Sequence, residues 1–233
     1  QNSGYVTKIA AHITKKVADK LNSMFTNGRE DYEKIWNDIK TFVKYASIRD
    51  RKFADRVKGS VLYEKTDGTY VTLDEYLEAA KETNENKVYY TTDKAAQSAY
   101  VKMFADQGID VIVMSGMLDT QFAQTVETER EGVKFLRVDA EVADALSEDG
   151  AEENEELCAL FREIGGEKLK GELKKLKDSA TPAVLNVSED SRRMEDMMKM
   201  YSMGQDMPEM PVETTLILNT ASPLIEKLSS DGN

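Results

Sequence analysis

The chain has 233 residues, of which 40% are hydrophobic and 32% charged, a mixture typical of a soluble globular protein. Its net charge of −12 argues against nucleic acid and anionic membrane surfaces as partners, because both are bound through clustered lysine and arginine. The single cysteine, Cys158, allows no disulfide within the chain and favours a reducing cytoplasm, and no apolar run approaches the roughly 18–20 residues of a membrane span.

Residues 1–58 are predicted to form a helical domain. Apolar side chains recur at steps of three and four from Val6 to Met24, which places them on one face of a helix, and Gly28 provides a left-handed stop. A second helix is expected to turn Trp36 inward, and a short third helix includes Phe53.

Residues 59–142 are predicted to form a layered domain of helices and strands. Thr72 and Glu75 have the spacing of a capping box, so a helix should begin at about Leu73. A helix capped by Asp93 separates two of the expected strands, which makes a β-α-β unit, and another helix follows near Asp119. The expected strands lie at residues 87–91, 111–114 and 134–138.

An acidic stretch separates this domain from the next. No lysine or arginine lies between Arg137 and Arg162, whereas nine carboxylates lie between Asp139 and Glu156. We therefore expect a domain boundary near residues 140–152. A solvated helix face with a linker is favoured over a metal site, because the spacing lacks the alternating ligands and central glycine of a calcium loop.

Residues 143–233 are predicted to form an α+β domain, so the chain as a whole has a mixed α/β fold class. Residues 168–177 fit either a basic helix or an exposed strand, and periodicity does not decide between them. The other expected elements are helices at 155–164, at 194–203 and from Pro223 onward, and strands at 182–187 and 214–218.

The sequence contains few groups that could carry out catalysis. His12 is the only histidine, and it flanks the apolar stripe of the first helix, so a helix-flank role is favoured over that of a catalytic base. A zinc site is excluded because one histidine and one cysteine cannot supply its three or four ligands. The glycine-rich phosphate-binding motifs are missing as well. No cofactor or metal is expected for this chain.

One enzyme hypothesis remains open at the ends of the predicted strands. Thr92, Asp93 and Ser115 follow two of these strands, at the edge where parallel sheets bind small polar ligands. The same side chains suit helix caps, which is the favoured interpretation because no acid–base partner is visible. The alternative function is therefore an α/β enzyme or small-ligand module.

A methionine cluster is the strongest positive signal. Seven of the 11 methionines fall between Met194 and Met210. On a helix, the side chains of Met194, Met197, Met198 and Tyr201 share one face, and charged residues are expected to wrap the helix at the protein surface. Methionine adapts to partners of different shape, so the face could bind other proteins. It could also be core, although Leu and Ile specify core packing better.

Five segments resemble the bacterial branch of the heat-shock protein 90 (Hsp90) chaperone family, and they occur in the family's order. They cover nearly the whole chain, and their ordered combination is more specific than any one of them. The segments are QNSGYVTKIAAHITKKVADKL, NKVYYTTD, GIDVIVMSGMLDTQF, ATPAVLNVSEDSRRMEDMMK and LILNTASPLIEKL.

The resemblance implies that this chain is the C-terminal part of the middle domain followed by the C-terminal domain of an ATP-dependent chaperone. ATP and Mg would bind the N-terminal domain, which this chain does not include, so no ATPase activity is expected of the chain itself. The implied partners are unfolded or partly folded client proteins, the N-terminal ATPase domain of the same polypeptide and, in full length, a second copy. The final dimerisation helices are expected to be missing.

The resemblance also implies roles for particular residues. It favours a strand at residues 168–177 and places client contacts on Met194, Met197, Met198 and Tyr201, with a second region at or beside Phe122. The family usually has Pro and His where this chain has Thr220 and Ser222. A third interpretation, an interdomain spacer, predicts that the methionine helix is buried, so the exposure of residues 194–203 distinguishes it from a binding surface.

Overall fold

The computed structural model of the protein describes residues 3–140, 142–148, 157–159, 161, 163, 169–202 and 214–231. The chain divides into two compact units, each made of two stretches of sequence. The first unit comprises Gln1–Val88 and Ile112–Phe135, and the second comprises Tyr89–Val111 and Leu136–Asn233. Helices and strands are mixed, which confirms the predicted fold class. The domain boundaries expected near residues 58 and 142 stay predictions.

The first unit begins with three consecutive helices, as the apolar periodicity predicts. They are α1 (Ser3–Asn27), α2 (Arg29–Arg49) and α3 (Arg51–Val57). The side chain of Asp50 caps α3 by accepting hydrogen bonds from the backbone N–H groups of Lys52 and Phe53, at 2.9 and 3.2 Å. Helix α2 buries Tyr32 and Trp36, and the Tyr32 hydroxyl donates a hydrogen bond to the backbone carbonyl of Ser60 at 3.0 Å.

A hairpin and a capped helix follow. Strands β1 (Leu62–Glu64) and β2 (Tyr70–Thr72) pair antiparallel around a turn in which Gly68 adopts a φ of 87°, a conformation that favours glycine. Helix α4 (Leu73–Ala79) begins with the predicted capping box. The Thr72 hydroxyl accepts from the backbone N–H of Glu75, and the Glu75 carboxylate accepts from that of Thr72.

The next elements are β3 (Lys87–Thr91), α5 (Ser98–Asp106), β4 (Val111–Val113), α6 (Asp119–Glu129) and β5 (Lys134–Arg137). The three strands form one sheet in the order β4-β3-β5. Helix α5 begins at Ser98 rather than directly after Asp93. The Asp93 carboxylate does act as a cap, but of the preceding turn, where it accepts from the N–H groups of Ala95 and Ala96 at 2.9 and 3.0 Å.

Further helices and a four-stranded sheet complete the described part of the second unit. Strand β7 pairs parallel with β9, and the sheet has the order β6-β7-β9-β8. Residues 169–176 are therefore a strand, which answers the question that periodicity left open. The elements are α7 (Val142–Leu146), β6 (Ser147–Glu148), β7 (Leu169–Leu176), β8 (Ala183–Val187), α8 (Glu189–Ser202), β9 (Thr214–Asn219) and α9 (Pro223–Asp231).

The core of the second unit joins both of its stretches of sequence. Tyr89 and Phe104 stack with ring centroids 4.5 Å apart, and they share one buried cluster with Val138, Leu146 and Ile217. A second, smaller cluster contains Leu157, Leu218 and Ile225.

The acidic stretch is only partly solvated. Its first carboxylate, Asp139, is buried, and residues 142–148 belong to α7 and β6. Residues 149–156 lie outside the described part of the chain, whereas the described residues of the helix expected at 155–164 are helical. Within the described residues, no helix is long and apolar enough to cross a membrane, and no group of three or more potential ligands has the geometry of a metal site.

Candidate protein-binding surface

Helix α8 turns methionines toward the solvent. The side chains of Asp190, Met194 and Met197 follow one another at steps of four and three residues, and all three are exposed. Met194 is 49% exposed and Met197 is 50% exposed, whereas the core methionine Met103 is 5% exposed. The spacer interpretation, which predicted a buried helix, is therefore wrong for these two methionines. We call the surface of Met194 and Met197 the methionine face.

Three charged residues of α8 occupy a different face, which is turned inward, whereas Asp190 is exposed beside the two methionines. Glu189 is 6% exposed as a residue, and the side chains of Arg193 and Asp196 are 11% and 23% exposed. These three residues recur at the same steps of four and three. Of the charged residues expected to wrap the helix, Arg193 and Asp196 are held by ionic partners within the second unit, whereas the side chain of Glu195 is 32% exposed.

Glu189, in the first turn of α8, accepts three hydrogen bonds. Its Oε1 accepts from the Tyr90 hydroxyl and from Arg193 Nε, both at 2.8 Å, and its Oε2 accepts from the backbone N–H of Arg137 at 2.7 Å. Burial raises the pKa of the Tyr90 phenol, and the adjacent Glu189 carboxylate raises it further, so the hydroxyl stays protonated and donates. A buried carboxylate with this many donors is well compensated.

Arg137 holds two further carboxylates. Its Nε and Nη2 donate to the two oxygens of Asp139 at 2.5 and 3.0 Å, and its Nη1 lies 3.1 and 3.2 Å from the two oxygens of Asp196. Burial alone would raise the pKa of Asp139, but the hydrogen bonds and charge of Arg137, together with the charge of Arg192, lower it. Among the described residues, Arg192 Nε is a buried polar atom that has no hydrogen-bond partner. We call Arg137, Asp139, Glu189, Arg192, Arg193 and Asp196 the ionic cluster.

The other residues expected to contact clients lie in different environments. Met198 is half-buried. Tyr201 belongs to α8, but its side chain lies outside the described part of the chain, as do Met203, Met207 and Met210. Phe122 is 4% exposed and packs in the first unit, 6.4 Å from the ring of Tyr63 and beneath the ammonium group of Lys44. The Phe122 side chain is therefore inaccessible to a client in this conformation.

The strand ends that suggested a small-ligand site are occupied by internal hydrogen bonds. Gln97 Oε1 accepts from the Thr91 hydroxyl at 2.6 Å and from the backbone N–H groups of Thr92 and Asp93 at 2.9 and 3.3 Å. The carboxylate of Asp93 caps the following turn. In the first unit, Ser115 is exposed. The capping interpretation is therefore confirmed for Asp93.

Sequence reasoning missed the ionic cluster, although part of its signal was present. Opposite charges at steps of three and four along α8 are typical of a helix face that forms ion pairs. The pattern along α8 could not predict that Arg137 is part of the cluster, because Arg137 lies 52 residues before Glu189 in the sequence.

Comparison with known proteins identifies the family. The Hsp90 protein family model matches residues 1–233. The chain is 33% identical over 251 residues to the chaperone protein HtpG of Porphyromonas gingivalis and 30% identical over 248 residues to that of Bacteroides fragilis. Each alignment covers 99% of this chain and 36% of the relative, so the chain spans about a third of their length.

A solved structure supports the same assignment at the level of the fold. The middle domain of a Plasmodium falciparum heat shock protein superposes with a TM-score of 0.50 at 19% identity, over 59% of this chain and 60% of that one. Since the family model matches every residue, and since the relatives at 30% identity and above are HtpG proteins, this chain belongs to the Hsp90 chaperone family, in its bacterial HtpG branch.

Proposed function

We propose that this chain is the client-binding part of an ATP-dependent chaperone, and that it holds unfolded or partly folded proteins against the methionine face of α8. The observation that carries the proposal is the orientation of this helix. Glu189, Arg193 and Asp196 are turned inward, and Met194 and Met197 are exposed, whereas an ordinary amphipathic helix turns its apolar face inward. Because exposing apolar side chains in place of charged ones is unfavourable for a free protein, a binding role accounts for it.

The chemistry of methionine suits a variable partner. Its unbranched thioether side chain changes rotamer easily and packs against aliphatic and aromatic groups alike. Met194 and Met197 are each about half exposed, so covering them would contribute about 1 kcal/mol each, half of the value for a fully buried side chain. Together they account for about 2 kcal/mol, a factor of about 30 in affinity.

The rest of the chaperone cycle is part of the same proposal. We expect the complete polypeptide to bind ATP and Mg in an N-terminal domain, to act as a homodimer and to use ATP to drive client release. Within that polypeptide, we expect this chain to bind clients and not to hydrolyse ATP. The comparison that supports this part is the coverage, since the chain matches only 36% of its HtpG relatives.

The proposal is tested by replacing Met194 and Met197 with glutamine, which keeps the length and helix propensity of the side chain but removes its apolar character. Binding is measured by fluorescence anisotropy with reduced, alkylated lysozyme, a permanently unfolded basic chain. We expect the double variant to bind about 30-fold more weakly.

Met117→Gln is the matched control. Met117 is 79% exposed but lies in the first unit, so its replacement removes the same chemistry from another surface. Affinity equal to that of the unmodified chain is expected for this control. If the double variant kept full affinity while its circular dichroism and unfolding were unchanged, the methionine face would have no part in client binding.

A further inference from the structure

Helix α8 is held at two points that involve Arg137, in addition to the ion pair between Arg192 Nη2 and Asp139 Oδ2 at 3.4 Å. The first point is the carboxylate of Glu189, which the Tyr90 hydroxyl and the backbone N–H of Arg137 anchor in the first turn. The second point is Asp196, seven residues further on, whose two oxygens lie 3.1 and 3.2 Å from Arg137 Nη1. A helix fixed at one end only can still pivot and rotate, whereas a second fixed point removes both freedoms.

Arg137 takes part in both attachments. Its backbone holds Glu189, and its guanidinium lies between Asp196 of α8 and Asp139, which follows β5. The Arg137 side chain is 7% exposed, and Asp139 holds it in place through two hydrogen bonds. A rigid guanidinium fork of this kind fixes direction as well as distance, which the single ammonium of lysine does not.

The hydrophobic effect opposes the observed orientation. The methionine face and the charged face are separated by about a third of a turn of the helix. Rotation by that amount would turn Met194 and Met197 inward and carry Asp196 away from Arg137. Without the ionic attachments, burial of the two methionines would favour this rotation, because apolar surface is driven out of water.

We propose that Arg137 is a positioning residue for client binding: by holding Asp196 it keeps α8 from rotating and so keeps the methionine face in solvent. This inference rests on the proposed function of that face. The buried charges therefore specify one orientation of the helix, a role that buried polar groups have in some other proteins. Binding of the client is affected through α8, and Arg137 itself does not contact the client.

The test compares Arg137→Met with Asp196→Asn, in the full 233-residue chain. Asp196→Asn is the milder change, since it leaves the hydrogen bonds between Arg137 and Asp139 in place. Limited oxidation with hydrogen peroxide, read by mass spectrometry, reports the exposure of each methionine separately. Met117, in the first unit, serves as the internal reference.

We expect Met194 and Met197 to be oxidised more slowly in both variants. The decrease approaches tenfold if their exposed fractions of 49% and 50% fall to the 5% of Met103. The oxidation rate of Met117 stays the same. The direction is diagnostic, because simple loosening of the second unit would expose methionines and accelerate their oxidation. In Arg137→Lys, the oxidation rates of Met194 and Met197 should lie between those of the unmodified chain and those of Arg137→Met. Lysine keeps the positive charge but lacks the guanidinium fork.

Unchanged or faster oxidation of Met194 and Met197 in Asp196→Asn would overturn the inference, even if Arg137→Met failed to fold. The proposed function is judged separately, by the affinity of the Met194→Gln and Met197→Gln chain. If Met194 and Met197 are oxidised more slowly in Asp196→Asn, while the chain with Met194→Gln and Met197→Gln keeps its affinity for lysozyme, the positioning role stands and the methionine face is not the client site. If the chain with Met194→Gln and Met197→Gln binds lysozyme weakly, while the oxidation of Met194 and Met197 is unchanged in Asp196→Asn, the binding role stands and the positioning role is wrong.

Discussion

Replacing Lys44 by methionine is expected to destabilise the first unit by about 3 kcal/mol, because it leaves a buried carboxylate without its partner. Lys44 Nζ lies 2.5 Å from Asp119 Oδ1, and the two side chains are only 10% and 7% exposed. The other oxygen of Asp119 accepts the backbone N–H of Gly116 at 2.9 Å, which leaves the carboxylate one neutral donor in place of a cation. Methionine retains the contact with the ring of Phe122, so the loss is mainly electrostatic.

Urea unfolding monitored by tryptophan fluorescence measures this effect directly. Trp36 is the only tryptophan, and it is buried in α2, the helix that carries Lys44. A loss of about 3 kcal/mol corresponds to a thermal midpoint lower by roughly 10 °C. The double variant Lys44→Met and Asp119→Asn removes both charges and should recover about 2 kcal/mol, since the amide oxygen of the new asparagine would still accept the N–H of Gly116. If the free energy of unfolding of Lys44→Met lay within about 1 kcal/mol of that of the unmodified chain, the reasoning would be refuted.

Two further predictions concern stability. Hydrogen bonds from Arg29 lower the pKa of Glu75 from 4.5 to about 2, so the stability that this pair contributes is complete above pH 4.5 and is lost as the pH falls toward 2. The stability difference between the unmodified chain and Glu75→Gln should therefore shrink over that window in urea unfolding at successive pH values, and a constant difference would contradict it. Asn219→Ala is expected to cost about 3 kcal/mol, because the buried Asn219 side chain accepts from the N–H groups of Leu176 and Ala221. Hydrogen exchange at those two amides should accelerate, and unchanged protection would count against this role.

Local signals in the sequence predicted much of the fold. The apolar periodicity of the first segment and the capping box of Thr72 and Glu75 act within a few residues, so a single sequence contains them in full. The start of α5 at Ser98 could not be predicted in the same way. The intervening turn is stabilised by Gln97, whose side chain reaches back to the end of β3.

The orientation of α8 depended on distant residues and therefore could not be predicted from its own pattern. A helical wheel separates Met194 and Met197 from Glu189 and Asp196, but it does not say which set faces inward. Hydrophobicity alone favours buried methionines. The opposite result follows from Arg137, whose proximity to α8 is a property of the tertiary structure. Strand β7 could not be predicted from its own pattern either, since its pairing partner β9 begins at Thr214, 45 residues after Leu169.

The interleaving of the two units has a consequence for how the protein is synthesised. A ribosome releases Tyr89–Val111 before the last stretch of the first unit, yet the apolar side chains of this segment belong to the core of the second. Phe104 shares that core with Ile217, which is synthesised about 110 residues later. At ordinary translation rates the wait is roughly 5 to 20 seconds. During that interval the nascent chaperone exposes an apolar segment of its own, so its biogenesis poses the same problem that it is proposed to solve for its clients.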